Sequence, residues 1–189
     1  MKYNSGEISK FGDKDLPCWE WQVRQGGLMN KEVAKNNFLD FKKIFDKHNI
    51  KFILAFGTLL GAIRQNDFID WDSDTDVLCF REDYLKIEDA FYELESLGFY
   101  IPRTRIPLMD HYLIRNGEKI DINWLIDNGH NELMYADWIK WDKKFFQFPL
   151  PTIKFLNENF QINNYINEFL ENLYGNDWKT PNKNKKGFK

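Results

Sequence analysis

The ten-residue segment "DFIDWDSDTD" contains five aspartates, and the apolar run "VLCF" follows it directly. They are Asp67, Asp70, Asp72, Asp74 and Asp76. Carboxylates this close repel one another and lose hydration beside apolar side chains unless a cation compensates them. A calcium loop of the EF-hand type is excluded, because no register supplies the glycine and the glutamate that such a loop requires. The segment is therefore either a solvated acidic turn or a site for another cation.

Strand periodicity favours the cation site. In "DTDVLCF", side chains alternate between the faces of a strand, so Asp74 and Asp76 point the same way, at a spacing that lets two carboxylates bridge divalent cations. Asp121 lies in "KIDIN", where Ile120 and Ile122 face the opposite side, and it is the candidate third carboxylate. Hard oxygen ligands favour Mg²⁺ or Mn²⁺ over zinc.

Such a metal suits phosphoryl or nucleotidyl transfer, because magnesium held by two or three carboxylates keeps positions open for phosphate oxygens. Gly57 and Thr58 follow an apolar run and precede a short helical segment. A glycine and a hydroxyl at such a junction allow close backbone approach and offer amide donors to a phosphate. Arg64, at the far end of this segment, could add a positive charge for the same anion.

Three further side chains are candidates for substrate contact, and Asp121 is also a candidate for catalysis. Asp72 could orient a metal-bound water or an acceptor hydroxyl, and a turn-stabilising role is equally open. Trp71 and Trp124 are close in sequence to the predicted ligands, and aromatic faces attract quaternary ammonium groups. Asp121 is the preferred general base, since the carboxylate nearest an attacking hydroxyl often serves as both ligand and base.

The elements that must position these residues are visible as patterns. Asn30 is a suitable N-cap for a helix that ends near Asn49, and the segments "IKFILAF" and "DTDVLCF" are typical of buried strands. Residues 82–97 have one apolar face and precede a glycine, which predicts a helix. The pair Asn116-Gly117 between two strand-like runs predicts a hairpin whose second strand carries Asp121.

The C-terminal third is predicted as an aromatic-rich loop around 138–148, followed by a long helix that Thr152 caps. The apolar residues assigned to that helix are Phe155, Leu156, Phe160, Ile166, Phe169 and Leu173. The whole order predicts an α+β, or two-layer α/β, domain with a small mixed sheet flanked by helices. The predicted boundaries are an N-terminal arm at 1–29, one domain at 30–181 and a basic tail at 182–189.

Composition limits the function classes. The chain has 189 residues, of which 43% are hydrophobic, which is enough for one well-packed domain. A net charge of -3 argues against nucleic acid as the partner. Two cysteines indicate neither a disulfide framework nor a thiolate zinc site. We expect no membrane span and no secretory signal, because no sufficiently long apolar run occurs, and we expect a cytoplasmic protein.

The segments "GTLLGAIR", "DFIDWDSDTDV", "KIDIN" and the closing "LYGNDWKTP" resemble the LicD family, which includes the fukutin-related proteins. The resemblance implies a nucleotidyltransferase-like fold of the DNA polymerase β superfamily, in which a glycine-hydroxyl turn binds phosphate and three carboxylates hold magnesium. Gly57 and Thr58 match that turn, and Asp74, Asp76 and Asp121 match the metal ligands.

The resemblance also implies an activity. Members typically move a substituted phosphate, such as phosphocholine or ribitol phosphate, from a CDP-linked donor to a hydroxyl of a glycan or lipid-linked saccharide, leaving CMP. Ser73 and Thr75 depart from the family's usual "WDDDID" run, which spares both predicted ligands. Two alternatives stay open: transfer of a nucleoside monophosphate to a small hydroxylated molecule, and a catalytically silent module that binds nucleotide or glycan.

Overall fold

The computed structural model describes residues 28–102, 111–127, 129–130, 132–135 and 139–184. Within these ranges the helices are α1 (Lys31–Lys47), α2 (Phe56–Gln65), α3 (Ile87–Ser96) and α4 (Ile166–Tyr174). The strands are β1 (Phe52–Leu54), β2 (Asp74–Phe80), β3 (His111–Arg115), β4 (Glu118–Asp127), β5 (Glu132–Tyr135), β6 (Ile139–Asp142), β7 (Thr152–Phe155) and β8 (Glu158–Gln161). Nearly all of the predicted arm and most of the predicted tail lie outside the described residues.

Six strands form one mixed sheet. Its order is β1-β2-β4-β5-β6, and β3 also pairs with β4. Strands β2 and β4 run parallel, whereas the other pairs in this sheet are antiparallel. A mixed sheet with helices packed around it confirms the predicted α+β class. The parallel pair is the element that matters for function, because it carries all three predicted ligands.

Helix α1 forms where the pattern predicted it. The side chain of Asn30 accepts a hydrogen bond of 3.3 Å from the backbone N–H of Val33, which satisfies one of the free donors at the helix start. Phe38, Phe41 and Phe45 on its apolar face are fully buried. These rings anchor the helix in the core, and Asn49 ends the helical path with a φ of 53°.

The predicted hairpin at Asn116-Gly117 is confirmed. Both residues have positive φ, 53° and 82°, as a tight turn between right-twisted strands requires. The helix predicted at 82–97 is divided instead. Its first part, Arg81–Lys86, is a 3₁₀-helix, and α3 follows it. The buried carboxylate of Asp83 accepts a hydrogen bond of 2.8 Å from the backbone N–H of Lys51, which ties this tighter turn to the start of β1.

The long helix predicted from Thr152 is wrong. Residues Thr152–Phe155 and Glu158–Gln161 form a two-stranded hairpin, and the helix begins only at Ile166. The turn residues Leu156 and Asn157 both have positive φ, 52° and 71°, which a continuous helix cannot accommodate.

Aromatic packing explains this outcome. Phe160 stacks on Phe38 of α1 with ring centroids 4.9 Å apart, and Phe155 contacts both rings. Because burial against α1 determines this segment, tertiary contacts override the local helical spacing. The aromatic segment predicted as a loop is also partly regular, since it contains β6 and the 3₁₀-helix Lys143–Phe146. Among the described residues, no helix has the length and apolarity needed to cross a bilayer.

Candidate metal centre

The register of the parallel pair brings the three predicted ligands together. Asp76 lies directly beside Asp121, and Asp74 lies beside Lys119. Side chains at paired positions of neighbouring strands project from the same face of the sheet. One carboxylate oxygen from each of Asp74, Asp76 and Asp121 lies within 4.8 Å of the others, and all three residues are partly exposed. This oxygen-only set has the chemistry that Mg²⁺ or Mn²⁺ requires.

One cation already lies against this cluster, and the sequence analysis missed it. The Nζ atom of Lys119 is 3.0 Å from Asp74 Oδ2 and 2.6 Å from Asp121 Oδ2. Burial by itself lowers the pKa of Lys119, but Asp121 and Asp74 outweigh it and raise the pKa above its usual value. The signal was available in "KIDIN", because residues two apart on a strand share a face.

The cluster retains excess negative charge. Burial raises the pKa of Asp76 well above its usual value, and the charges of Asp74, Asp121 and Asp72 raise it further, while Lys119 opposes them. A single ammonium therefore does not neutralise the group. A divalent cation would restore the balance and favour the ionised form of each ligand.

The start of α2 is fixed beside the carboxylate cluster. The hydroxyl of Thr58 accepts a hydrogen bond of 2.8 Å from the backbone N–H of Asp76, and the N–H of Ala55 donates to the Asp76 carbonyl at 3.1 Å. Thr58 is fully buried, so its hydroxyl joins α2 to β2. The helix begins without a side-chain cap, and Phe56 at its start has a φ of 42°. Its N-terminus is thus a suitable place for an anion.

Asp72 packs directly against this N-terminus. A methyl group on Gly57 would overlap the Asp72 carboxylate, so glycine allows this close approach. Asp72 Oδ1 accepts a hydrogen bond from the N–H of Ser73, but Oδ2 is buried and has no hydrogen-bond partner among the described residues. Burial and the charge of Asp74 raise the pKa of Asp72 to about 6, against the opposing bond from Ser73.

Arg64 and Tyr174 complete this side of the site. The Nε and Nη2 atoms of Arg64 are buried and have no hydrogen-bond partner within the described chain. Burial lowers the pKa of Arg64, and nearby Tyr174 opposes that change. Burial also raises the pKa of Tyr174, and the charges of Asp76 and Asp72 raise it further. Tyr174 is the last residue of α4, at the start of the segment "LYGNDW", and its relation to the carboxylates could not be predicted from spacing.

Two other aspartates of the acidic run and the two predicted tryptophans have different contacts. Asp67 and Asp70 form ion pairs with Lys31, and neither belongs to the three-carboxylate group. Trp71 is partly buried and packs against the hydrophobic core. Trp124 is buried on the opposite face of β4 from Asp121, because the two positions differ by three, and its Nε1–H donates to His111. The structure therefore does not bring Trp124 to the cluster.

The chain belongs to a known family. Residues 49–164, which are more than half of the chain, match the family described as LicD/FKTN/FKRP, nucleotidyltransferase domain. The match contains α2, β2, β3 and β4, and so contains the three clustered carboxylates. It confirms the resemblance derived from the motifs.

Two relatives show how far the similarity extends. The chain is 36% identical over 118 residues to the Haemophilus influenzae protein named lipopolysaccharide cholinephosphotransferase LicD, a match that covers 61% of this chain and 44% of that protein. It is 26% identical over 124 residues to an uncharacterised Rickettsia typhi protein, covering 62% of this chain and 38% of the relative. The chain thus spans less than half the length of these relatives.

A solved structure supports the fold. The lincomycin-bound crystal structure of the lincosamide antibiotic adenylyltransferase LnuA aligns with a TM-score of 0.50 at 11% sequence identity, covering 71% of this chain and 83% of that chain. The nucleotidyltransferase-like fold that the resemblance implied is therefore present here.

Proposed function

We propose that this chain is a divalent-metal-dependent phosphotransferase of the LicD type. It would move a substituted phosphate, such as phosphocholine or ribitol phosphate, from a CDP-linked donor to a hydroxyl of a glycan or lipid-linked saccharide. The observation that carries the proposal is the convergence of Asp74, Asp76 and Asp121 within 4.8 Å beside the start of α2. The name of the Haemophilus influenzae relative supports the class of transferred group.

The three carboxylates are the residues that would hold Mg²⁺ or Mn²⁺. When bound, the metal would neutralise charge on the donor phosphates and on the group being transferred. Hard oxygen ligands in a partly exposed cluster suit this role, because the donor must reach the same cation from solvent.

The protein's own groups would bind the donor's phosphates. The uncapped N-terminus of α2 offers backbone N–H groups of Gly57 and its neighbours, and a helix N-terminus favours negative charge. Arg64 would supply a second contact, since its Nε and Nη2 atoms are buried and have no hydrogen-bond partner among the described residues. A bidentate guanidinium–phosphate contact would satisfy them.

The transfer itself is a displacement at phosphorus. The acceptor hydroxyl oxygen forms a bond to the phosphorus of the substituted phosphate, the bond from that phosphorus to the CMP oxygen breaks, and CMP leaves with the electron pair. The hydroxyl proton passes to the Asp121 carboxylate, which is the proposed general base. Metal-dependent turnover that is lost in Asp121→Asn, with donor binding retained, would support this role, whereas unchanged turnover would end it.

A second candidate is transfer of a nucleoside monophosphate to a small hydroxylated molecule. The family description as a nucleotidyltransferase domain favours it, and the same metal cluster would serve it. The two reactions differ in their products, because the first releases CMP from a CDP conjugate and the second releases pyrophosphate from CTP.

The deciding experiment is a phosphorus NMR time course with Mg²⁺ and a panel of CTP, CDP-choline, CDP-ribitol and CDP-glycerol, each with and without a mixed glycan acceptor. Metal-dependent release of CMP that is lost in Asp74→Asn and kept in Asp70→Asn is expected. Asp70 is the matched control, because it belongs to the same acidic run but lies outside the cluster. Pyrophosphate release from CTP would establish the second candidate. Silence across the panel would favour a binding module.

Cellular location and the acceptor belong to the same proposal. We expect the reaction in the cytoplasm, where nucleotide-linked donors are made. The NMR panel would identify the transferred head group and show whether transfer requires the glycan acceptor.

A further inference from the structure

The ammonium of Lys119 lies against two of the carboxylates that would hold a divalent cation. It contacts Asp74 Oδ2 at 3.0 Å and Asp121 Oδ2 at 2.6 Å, so it engages two of the three carboxylates that form the cluster. Its side chain is 24% exposed, which is close to the exposure of both partners. This is an ion pair at the mouth of the site, within reach of solvent.

The sheet register brings Lys119 within reach of both carboxylates. Lys119 pairs with Asp74 across β2 and β4, and Asp121 follows two residues later on the same face. Lys119 therefore lies on the same strand as Asp121 and directly beside Asp74 on the neighbouring strand. Its flexible four-carbon stem and compact charge allow it to reach both carboxylates or to swing away from them.

A metal and this ammonium compete for the same oxygens. Divalent magnesium binds carboxylate oxygens at about 2.1 Å, and no ammonium can remain at hydrogen-bond distance along the same lone pairs. A divalent cation compensates three carboxylates better than a single ammonium does, so the metal would displace the lysine.

We propose that Lys119 is a built-in counter-cation that neutralises the cluster in the metal-free protein and is displaced when the metal binds. The inference rests on the proposed metal-dependent function, since it requires that the cluster binds a divalent cation. Its consequence is that the metal affinity is weaker than the three carboxylates would provide alone, because each binding event must break two ion pairs.

Manganese titration followed by electron paramagnetic resonance measures this competition. Lys119→Met should bind Mn²⁺ roughly tenfold more tightly than the wild type, as the loss of partly exposed ion pairs and of a nearby positive charge predicts. Lys31→Met is the matched control, because Lys31 also bridges two aspartates, Asp67 at 2.9 Å and Asp70 at 2.6 Å, outside the cluster. Its Mn²⁺ affinity should equal that of the wild type. Lys119→Gln provides a second, more polar variant if the methionine does not fold.

Displacement has its own readout, which needs no variant. Brief acetylation with acetic anhydride, quantified by mass spectrometry, should modify Lys119 several-fold faster with saturating Mg²⁺ than with EDTA, because a released amine is more accessible than a paired one. Lys31 should react equally under both conditions. The acetylation rates distinguish two cases. In one, Lys119 leaves the carboxylates when the metal binds; in the other, it stays in place and only repels the metal.

The outcomes separate the two proposals. If the wild type binds Mn²⁺ and Lys119→Met binds it no more tightly, or if Mg²⁺ leaves the acetylation of Lys119 unchanged, the role of Lys119 is overturned and the metal centre stands. If neither the wild type nor Lys119→Met binds Mn²⁺ better than Asp74→Asn does, the metal centre fails, and the inference fails with it.

Discussion

The two halves of one acidic run behave differently. In the first half, Asp67 and Asp70 share the ammonium of Lys31, at 2.9 Å and 2.6 Å, and their side chains are 46% and 77% exposed. In the second half, Asp74 and Asp76 converge with Asp121 around the single ammonium of Lys119. The first half has one cation for two hydrated carboxylates, and the second has one for three that are less hydrated.

Burial and convergence of the carboxylates, rather than their number, distinguish the second half of the run from the first. Exposed ion pairs such as those of Lys31 cost little and stabilise little. Three convergent carboxylates in a partly buried site raise the pKa of Asp76, mainly through burial and then through mutual repulsion, and this opposes folding. Repulsion of that kind is expected where a ligand relieves it.

The largest contrast between the two halves should appear in catalysis. Asp76→Asn removes one of the three clustered carboxylates and should lower the transfer rate about a thousandfold, a loss typical of removing a key electrostatic group. Asp70→Asn should keep the wild-type rate, because its partner Lys31 lies outside the cluster. The phosphorus NMR time course measures both. Equal rates for Asp76→Asn and Asp70→Asn would remove the distinction between the halves.

Alanine substitutions at two glycines of α2 test how tightly the acidic run packs against this helix. Gly57→Ala drives a methyl group into the Asp72 carboxylate and should cost about 1–3 kcal/mol in urea unfolding. The cost should vanish on an Asp72→Ala background, where alanine's better helix propensity becomes visible. Gly61→Ala is the control, because its methyl group would lie 2.5 Å from the backbone oxygen of Asp67. If Asp72→Ala rescues both glycine variants equally, the specific contact between Gly57 and Asp72 is not the cause.

The last expected effect is a pH dependence of the free energy of unfolding, caused by Asp72. Its pKa in the folded protein, about 6, is above its ordinary value of 3.8, so ionisation opposes folding. The penalty is absent below about pH 4, develops as the pH rises, and is complete above about pH 6. Asp72→Asn should therefore be more stable than the wild type by up to about 3 kcal/mol above pH 6, and the gain should disappear towards pH 4.

Urea unfolding in EDTA between pH 4.5 and 7.5 measures this gain. The control is Asp70→Asn, which should show a small loss without such a rise, because it only gives up an exposed ion pair. A constant difference between Asp72→Asn and the wild type across this range would contradict the assigned shift.

The sequence was informative wherever structure is local. Alternation in "DTDVLCF" and "KIDIN" placed Asp74, Asp76 and Asp121 correctly, because successive strand residues face opposite sides. The same rule, applied strictly, also shows that Trp124 faces away from Asp121. Proximity in sequence suggested a shared site, whereas strand parity determines the actual face. Asp72 differs from the solvated Asp70 because Asp72 contacts α2, and the spacing of the aspartates does not reveal this contact.

The long helix predicted from Thr152 failed for a different reason. Leu156 and Phe160 fit a helical spacing, but the burial of Phe155 and Phe160 against Phe38 selects a hairpin. A short apolar segment can satisfy either periodicity, and partners distant in sequence decide between them. Tyr174 was missed on similar grounds, since its nearness to Asp72 and Asp76 joins α4 to a strand about 100 residues away in sequence.

The sequence alone was sufficient to predict α1, the β3–β4 hairpin, the convergence of Asp74, Asp76 and Asp121, and the family. Caps, turns and strand alternation act over a few residues, and the family motifs are contiguous. Only the tertiary structure decided the parallel register of β2 and β4, which sets Asp76 beside Asp121 and Lys119 beside Asp74. The tertiary structure also sets which aspartates are exposed to solvent and which are partly buried. Register and burial depend on packing between segments far apart in the chain, and so they are not encoded in any one segment.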